Sequence, residues 1–324
     1  MRTRRSLLIA GALLASSCLG VAQADNYPSK PVRWVVAYAA GGGSDALARA
    51  IGTQLSTQLG QPVLIDNKPG GATVIASENV AKSPGDGYTV FTADNGTLVF
   101  NTALFKKLSY DPQKDFTSIG MMARFPLLLA VNPNAGYVDA KALLAAAKAS
   151  PGKLSFATPG VGSPHHLAME MLKARNNLDL VHVAYRGAAP AIQDVVGGQL
   201  PLMVVDSAAG MQMMKAGKLK PLATFSKSRL ASMPDVPTLM ELGYTDIEAV
   251  AWQGLVVPSS TPKNIVAKLS TELQKAIQSD PVRTQFATMG IEATPSDPIA
   301  MQKHWAQEGQ FWPRLIRDRN ISLD

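Results

Sequence analysis

Two glycine-rich segments stand out. Tyr38-Ala39-Ala40-Gly41-Gly42-Gly43-Ser44-Asp45 and Pro159-Gly160-Val161-Gly162-Ser163-Pro164 each follow an apolar run and precede a helical pattern. Glycine at such a junction lets bare backbone N–H groups approach a ligand, and the helix start adds partial positive charge. Each segment therefore suits an oxyanion or carboxylate. One such loop is explained as well by a tight turn, but two at matching places favour binding. Pro69-Gly70-Gly71-Ala72 is a third loop that opens a helix. His166, at the start of the helix after the second segment, can donate to an anion or serve as a capping residue. Asp206 ends an apolar run, at the C-terminal end of a strand where open α/β sheets take ligands. It can also cap the helix beginning at Ser207. Tyr185-Arg186-Gly187 follows another strand and can bring an aromatic or cationic group to the same mouth.

The elements that hold these loops follow from the hydrophobic pattern. Residues 32–38 are β-branched and aromatic, a buried strand. Leu47, Ile51, Leu55 and Leu59 then mark one face of a helix that Gly60 stops. Residues 63–65 and 88–92 are further strands, with a helix over 73–82 between them. The pattern is interrupted over 108–124. It restarts with strands at 127–131, 154–157, 181–183 and 202–205, separated by helices. Strand–helix alternation with short loops predicts an α/β fold with parallel sheets. A strand over 252–257 and long helices over 262–278 and 299–319 complete the chain. This is a two-lobed arrangement: 25–124 with 246–324 form lobe 1, and 125–245 form lobe 2. Chain crossings near 122–125 and 243–249 make a hinge with an interlobe cleft. The four Trp read as core or lobe contacts.

Met1-Arg2-Thr3-Arg4-Arg5, a short apolar stretch and Ala22-Gln23-Ala24 form an export signal, with cleavage expected after Ala24. The paired arginines also fit a twin-arginine signal, and Ala15 is a poor residue to precede a lipidated Cys18. Cleavage removes the single cysteine, and with it any disulfide or thiolate metal site. It also removes Arg2, Arg4 and Arg5, so the net charge of +7 falls by three to +4. No basic run interleaved with aromatics points to nucleic acid. No later apolar stretch approaches the ~20 residues a membrane span needs.

An exported α/β enzyme is the alternative reading. Gly41-Gly42-Gly43-Ser44-Asp45-Ala46 satisfies G-x-G-x-x-G/A, and Asp66 stands where a ribose-binding acid would. Extracytoplasmic space is poor in nicotinamide cofactors, and no hydride-transfer site follows. A hydrolase triad of Ser163, His166 and Asp206 would crowd two members into one helical turn. His165, His166 and Glu170 lack a further plausible metal ligand. Asp45 and Arg49 are spaced as a helical surface pair. Catalytic residues, cofactor and metal are therefore all expected to be absent.

The chain resembles the Bug family, the substrate-binding receptors of tripartite tricarboxylate transporters. The resemblance rests on Tyr27-Pro28-Ser29-Lys30-Pro31, the Gly41–Ser44 loop, Asn67-Lys68-Pro69-Gly70-Gly71 and Asp86-Gly87-Tyr88-Thr89. It continues through Tyr110-Asp111-Pro112, Gly160-Val161-Gly162-Ser163, Tyr185-Arg186-Gly187, Val236-Pro237-Thr238 and Trp252-Gln253-Gly254. Single motifs are weak, but the ordered series spans the mature chain. The resemblance implies a periplasmic binding protein of type II-like form. It would be a monomer that captures a small carboxylate for membrane transporter subunits. It implies ligand contacts from Tyr38, Ala39, Ala40, Gly41, Gly42, Gly43, Ser44 and Asp45, and from Gly160, Val161, Gly162, Ser163 and His166. Asp206 would face the variable end of the ligand. Gly71, Pro159 and His165 depart mildly from the family pattern.

Overall fold

The computed structural model describes residues 27–324. The export signal at 1–24, its cleavage after Ala24 and Cys18 lie outside the described residues. The chain runs through β1 (Val32–Val36), α1 (Gly43–Leu59), β2 (Val63–Asn67), α2 (Val74–Ala81) and β3 (Thr89–Asp94). A π-helical turn, Gly96–Phe100, leads into the short α3 (Asn101–Leu104), followed by α4 (Pro112–Asp115) and β4 (Phe116–Val131). Next come α5 (Ala140–Ala149), β5 (Ser155–Thr158), α6 (Pro164–Asn176), β6 (Val181–Ala184) and α7 (Ala188–Val196). β7 (Leu202–Asp206), α8 (Ser207–Lys215) and β8 (Lys220–Thr224) complete that half. The rest is β9 (Val250–Pro258), α9 (Lys263–Gln278), α10 (Asp280–Thr288), β10 (Glu292–Ala293) and α11 (Pro298–Asp318).

Two α/β lobes share one strand. In the first, β1 lies parallel to β2 and β3, and β9 joins β3 and β4 antiparallel. In the second, β5 lies parallel to β6 and β7, while β4 pairs antiparallel with β7 and β8. β4 is 16 residues long, and at ~3.3 Å per residue it runs roughly 50 Å. It pairs with β9 from Phe116 opposite Pro258 to Pro126 opposite Val250, then with β7 from Leu127 opposite Asp206 onward. One strand thus passes from lobe to lobe.

The sequence reading broke this strand and kept only 127–131. The register shifts between Ser118 and Gly120 and between Met121 and Ala123 explain why, since bulges destroy the period-2 signal. Gly120 looks like a breaker but is a close approach: a Cβ there would sit 2.2 Å from the Ser296 carbonyl oxygen. α10 and β10 were also not anticipated. The lobes share a hydrophobic cluster that includes Phe91, Leu129, Phe156, Leu167, Trp252 and Trp305. All four Trp are buried, as the pattern required. Trp34 Nε1 donates to Thr92 Oγ1 at 2.7 Å and Trp305 Nε1 to the Leu98 carbonyl at 2.8 Å, so neither buries an unpaired donor. No helix among the described residues is long and apolar enough to cross a membrane.

Candidate functional site

β1 is buried to its end, and the chain then emerges: Tyr38 through Gly42 are exposed. Gly41 takes φ +86°, a left-handed turn with nothing within 4 Å of a would-be Cβ. Its N–H donates to Asp45 Oδ2 at 2.9 Å, and Arg49 Nε donates to the same oxygen at 3.0 Å. Burial opposes the Asp45 charge, but the bonds from Arg49 and Gly41 hold its carboxyl below the usual carboxylate range. Asp45 was expected to contact ligand and to form a surface pair. The pair with Arg49 forms, but Asp45 is 4% exposed and also braces its own loop, while Arg49 is the exposed partner. Gly42 caps α1 without any side-chain hydrogen bond. The first-turn N–H groups of α1 thus have no partner in the helix and none from a cap. Tyr38 frames them. Its carbonyl accepts from Asn67 Nδ2 at 2.9 Å, and its hydroxyl donates to Asp94. Burial and the Asp94 charge push the Tyr38 hydroxyl well up. Gln253 Nε2 donates to Ser44 Oγ, while Gln253 Oε1 and Asn95 Oδ1 are buried without a partner among the described residues.

Three amides of the second loop are satisfied internally. Gly160 N–H donates to Thr158 Oγ1 at 3.3 Å, and Ser163 N–H to the Gly160 carbonyl at 3.3 Å. Gly162 N–H donates to His166 Nδ1 at 3.1 Å. Ser163 is the N-cap of α6: its Oγ accepts from His166 N–H at 3.2 Å and donates to the Gly160 carbonyl at 2.7 Å. Local turns thus satisfy the amides of Gly160, Gly162 and Ser163, unlike those at the start of α1. His166 is buried against its own lobe. Its ring stacks on His182 at 3.8 Å, and His182 stacks on Phe156 at 5.0 Å. Burial, then the neighbouring His182, pulls the His166 imidazole down to about 3, so it is neutral at physiological pH. Glu170, 3.9 Å from His166 Nε2, is held by Lys173 at 2.6 Å and by Arg319 at 2.8 Å. Of this loop, Val161 is the exposed residue.

Asp206 is the N-cap of α8, one of the two roles expected of it. Its Oδ1 caps α8 by accepting from Ala209 N–H at 2.9 Å, and its Oδ2 lies 3.1 Å from His165 Nε2. Burial raises the Asp206 pKa, but the His165 bond and charge outweigh it and keep the group ionised. His165, weighed above only as a metal ligand and as a departure from the family pattern, ties the starts of α6 and α8 together and leaves Nδ1 buried and unpartnered. A Cβ on Gly43 would lie 3.4 Å from Phe125 Cε1 and 3.7 Å from Ala208 Cβ, so the start of α1 faces the start of α8. On Gly162 it would lie 2.6 Å from Leu104 Cδ1, so the second loop abuts α3. Three helix N-termini thus converge between the lobes, and their partial positive charges favour an anion there. Sequence reasoning missed Asn95, Leu104 and the inward turn of Asp45. The reach of the third helical residue back to the chain before the cap was the available signal. Among the described residues no group of three His, Cys, Asp or Glu could hold a metal ion.

The geometry has relatives. The family model for the tripartite tricarboxylate transporter family receptor matches residues 47–321. Protein BugT of Bordetella pertussis is 31% identical over 325 residues, covering 100% of both chains. R. palustris Rpa4515, solved with adipate, is 31% identical and superposes with a TM-score of 0.85, over 91% of this chain and 99% of its own. MatC (Rpa3494) from Rhodopseudomonas palustris, solved with bound malate, is 30% identical with a TM-score of 0.81, over 90% of this chain and 100% of its own. The dinucleotide and triad readings end here: the protein is a solute-binding receptor of a transport system and not an enzyme. The glycine loop at α1, the shared strand between two α/β lobes and these matches agree, and the chain belongs to the tripartite tricarboxylate transporter receptor family, the Bug family.

Proposed function

We propose that this receptor holds a small carboxylate by one end on the uncapped start of α1, at Ala39, Ala40, Gly42, Gly43 and Ser44. The other end then meets Val161 and the His165–Asp206 pair across the cleft. Tyr38, Gly41, Asp45, Gly160, Gly162, Ser163 and His166 shape the two loops. The observation that carries this reading is the contrast between helix starts: α6 and α8 are capped by Ser163 and Asp206, whereas α1 has no side-chain cap. A carboxylate is the group that such bare, charge-favouring N–H donors take best. The adipate and malate in the two solved relatives are both dicarboxylates. The lobe division proposed is 25–124 with 246–324 against 125–245. The mature protein begins at Asp25 and works as a periplasmic monomer that delivers its ligand to membrane subunits.

Thermal-shift screening of mono-, di- and tricarboxylates tests the reading, since a ligand at ~100 times its dissociation constant adds about 2.7 kcal/mol. The ligand should be recovered unchanged. Gly42→Val is the decisive variant. A Cβ there meets only the Ala39 carbonyl oxygen, at an ordinary 3.6 Å, so the fold tolerates it while the amides are obstructed. Normal carboxylate binding by folded Gly42→Val, or equal affinity for the ligand's amide, would remove the α1 grip.

A further inference from the structure

A cavity of about 310 Å³ lies away from the glycine loops, between the hinge strands and one face of α11. Arg124 of β4, Glu248 and Val250 form one wall; His304, Glu308 and Phe311 of α11 form the other. Positions 304, 308 and 311 recur at helical spacing, so one face of α11 supplies that wall. Arg124 stands opposite Trp252 of β9 and Glu292 of β10, two residues before Pro126, where β9 pairing ends. Its guanidinium makes no ion pair or hydrogen bond among the described residues, and its Nε is buried without a partner. His304 Nε2 is buried and unpartnered as well, with its ring edge-on to Trp252 at 5.1 Å. Buried polar atoms are almost always paired, so the Arg124 donor on one wall and the His304 nitrogen on the other call for a partner between them.

We propose that this cavity is a second binding site, for a small oxyanion or carboxylate, separate from the interlobe cleft. It goes beyond the carboxylate grip at α1 and does not depend on it. Arg124 supplies the fixed positive charge, and His304 and Gln307 supply further donors. The charged and titratable groups lining the site are Arg124 from β4, Glu248 from the segment before β9, and His304 and Glu308 from α11; Glu292 of β10 stands opposite Arg124 outside the lining. Glu248 is exposed at the rim. Glu308 accepts from Trp252 Nε1 at 3.3 Å, and burial pushes its carboxyl up to about 7. An incoming anion favours the protonated, uncharged form of Glu308, so binding takes up a proton and tightens as pH falls through neutrality. The occupant would touch Arg124 and Val250, where the shared strand leaves the first sheet, so it would also bear on the lobe angle.

The test is titration with acetate and, separately, inorganic phosphate, followed by calorimetry and thermal shift. The proteins are wild type, Arg124→Gln, Arg124→Lys, His304→Ala, Glu308→Gln and Gly42→Val. At least one anion should bind wild type and Gly42→Val alike, and at least tenfold more weakly to Arg124→Gln. Arg124→Lys should recover part of the loss. Acetate binding identifies a carboxylate site, phosphate binding an inorganic-oxyanion site. Glu308→Gln should abolish the tightening between about pH 8 and pH 6. If Arg124→Gln does not fold, weakened binding by His304→Ala stands in for it. No response to either anion, a response abolished by Gly42→Val, or full binding by Arg124→Gln (by His304→Ala, where that stands in) overturns the proposal.

Discussion

Acid should loosen the second lobe through its histidine stack, and His166→Asn should remove much of that sensitivity. Burial pulls His166 down to about 3, and burial pulls His182 down to about 4. Both lie below the ~6.5 of an unfolded-chain histidine. As pH falls below 6.5, the unfolded chain takes up protons that the folded stack refuses. Stability present above 6.5 is therefore lost on the way down to the folded values. Between pH 7 and pH 5 each histidine removes about 2 kcal/mol by linkage. Glu308 acts in the opposite sense. Its folded value of about 7 lies above its unfolded one, so it adds stability as pH falls. The wild-type total is thus a difference, and the variant isolates one histidine. Asparagine places an acceptor near the Nδ1 position, so Gly162 N–H keeps a partner while the titration disappears. Urea denaturation at pH 7 and pH 5 reads the effect. His166→Asn should lose about 2 kcal/mol less than wild type over that interval. Identical pH dependence in the two proteins would show that the stack is not what acid attacks.

Ser163→Ala should cost about 1 kcal/mol of stability through loss of the α6 cap, with carboxylate affinity nearly unchanged, as paired denaturation and calorimetry would show. A large affinity loss at unchanged stability would put the hydroxyl on the ligand. Gly162→Ala should cost roughly 2–4 kcal/mol, since its φ is +72° and the new Cβ meets Leu104 Cδ1 at 2.6 Å. Combining it with Leu104→Ala should be less than additive in a denaturation cycle, and strict additivity would deny the contact. Small-angle scattering with saturating carboxylate should show a particle no larger than the unliganded one, and expansion on binding would contradict closure about β4.

Much of the fold was legible because each unit announces itself locally. β-Branched runs end at glycine, and periodic helices follow, as in residues 32–59. The exposed glycine loop at residues 39–44 came from the same local logic. What was not legible depends on residues far apart in the chain. β4 hides behind bulges and behind Gly120, whose necessity comes from Ser296. Nothing near His166 in sequence predicts that His182 stacks on it at 3.8 Å, with Gly162 N–H at its Nδ1. Asp45 looked like half of a surface pair because the i, i+4 spacing to Arg49 was read without the turn back to Gly41.

The unequal dressing of the two lobes has a consequence for specificity. Under the proposed grip, backbone N–H groups at α1 would read a carboxylate by charge and shape, and every small acid presents the same group. Discrimination must therefore come from side chains around the far end of the ligand. There the second lobe offers a fixed surface, because the amides of Gly160, Gly162 and Ser163 are already tied down. The Asp206 carboxylate is balanced by His165 and by the Ala209 amide, so it can repel a second negative charge less than a bare aspartate would. His165 Nδ1, Asn95 Oδ1 and Gln253 Oε1 are buried and unpartnered around the converging helix starts. A ligand hydroxyl or ammonium could donate to the two oxygens, whereas a plain hydrocarbon chain would leave them unpaired at about 1–3 kcal/mol each. Affinity should consequently rise from an unsubstituted diacid to one carrying a hydroxyl or amine. Calorimetry of succinate, malate and aspartate measures the order directly. A preference for succinate would mean that Asn95 and Gln253 do not face the ligand.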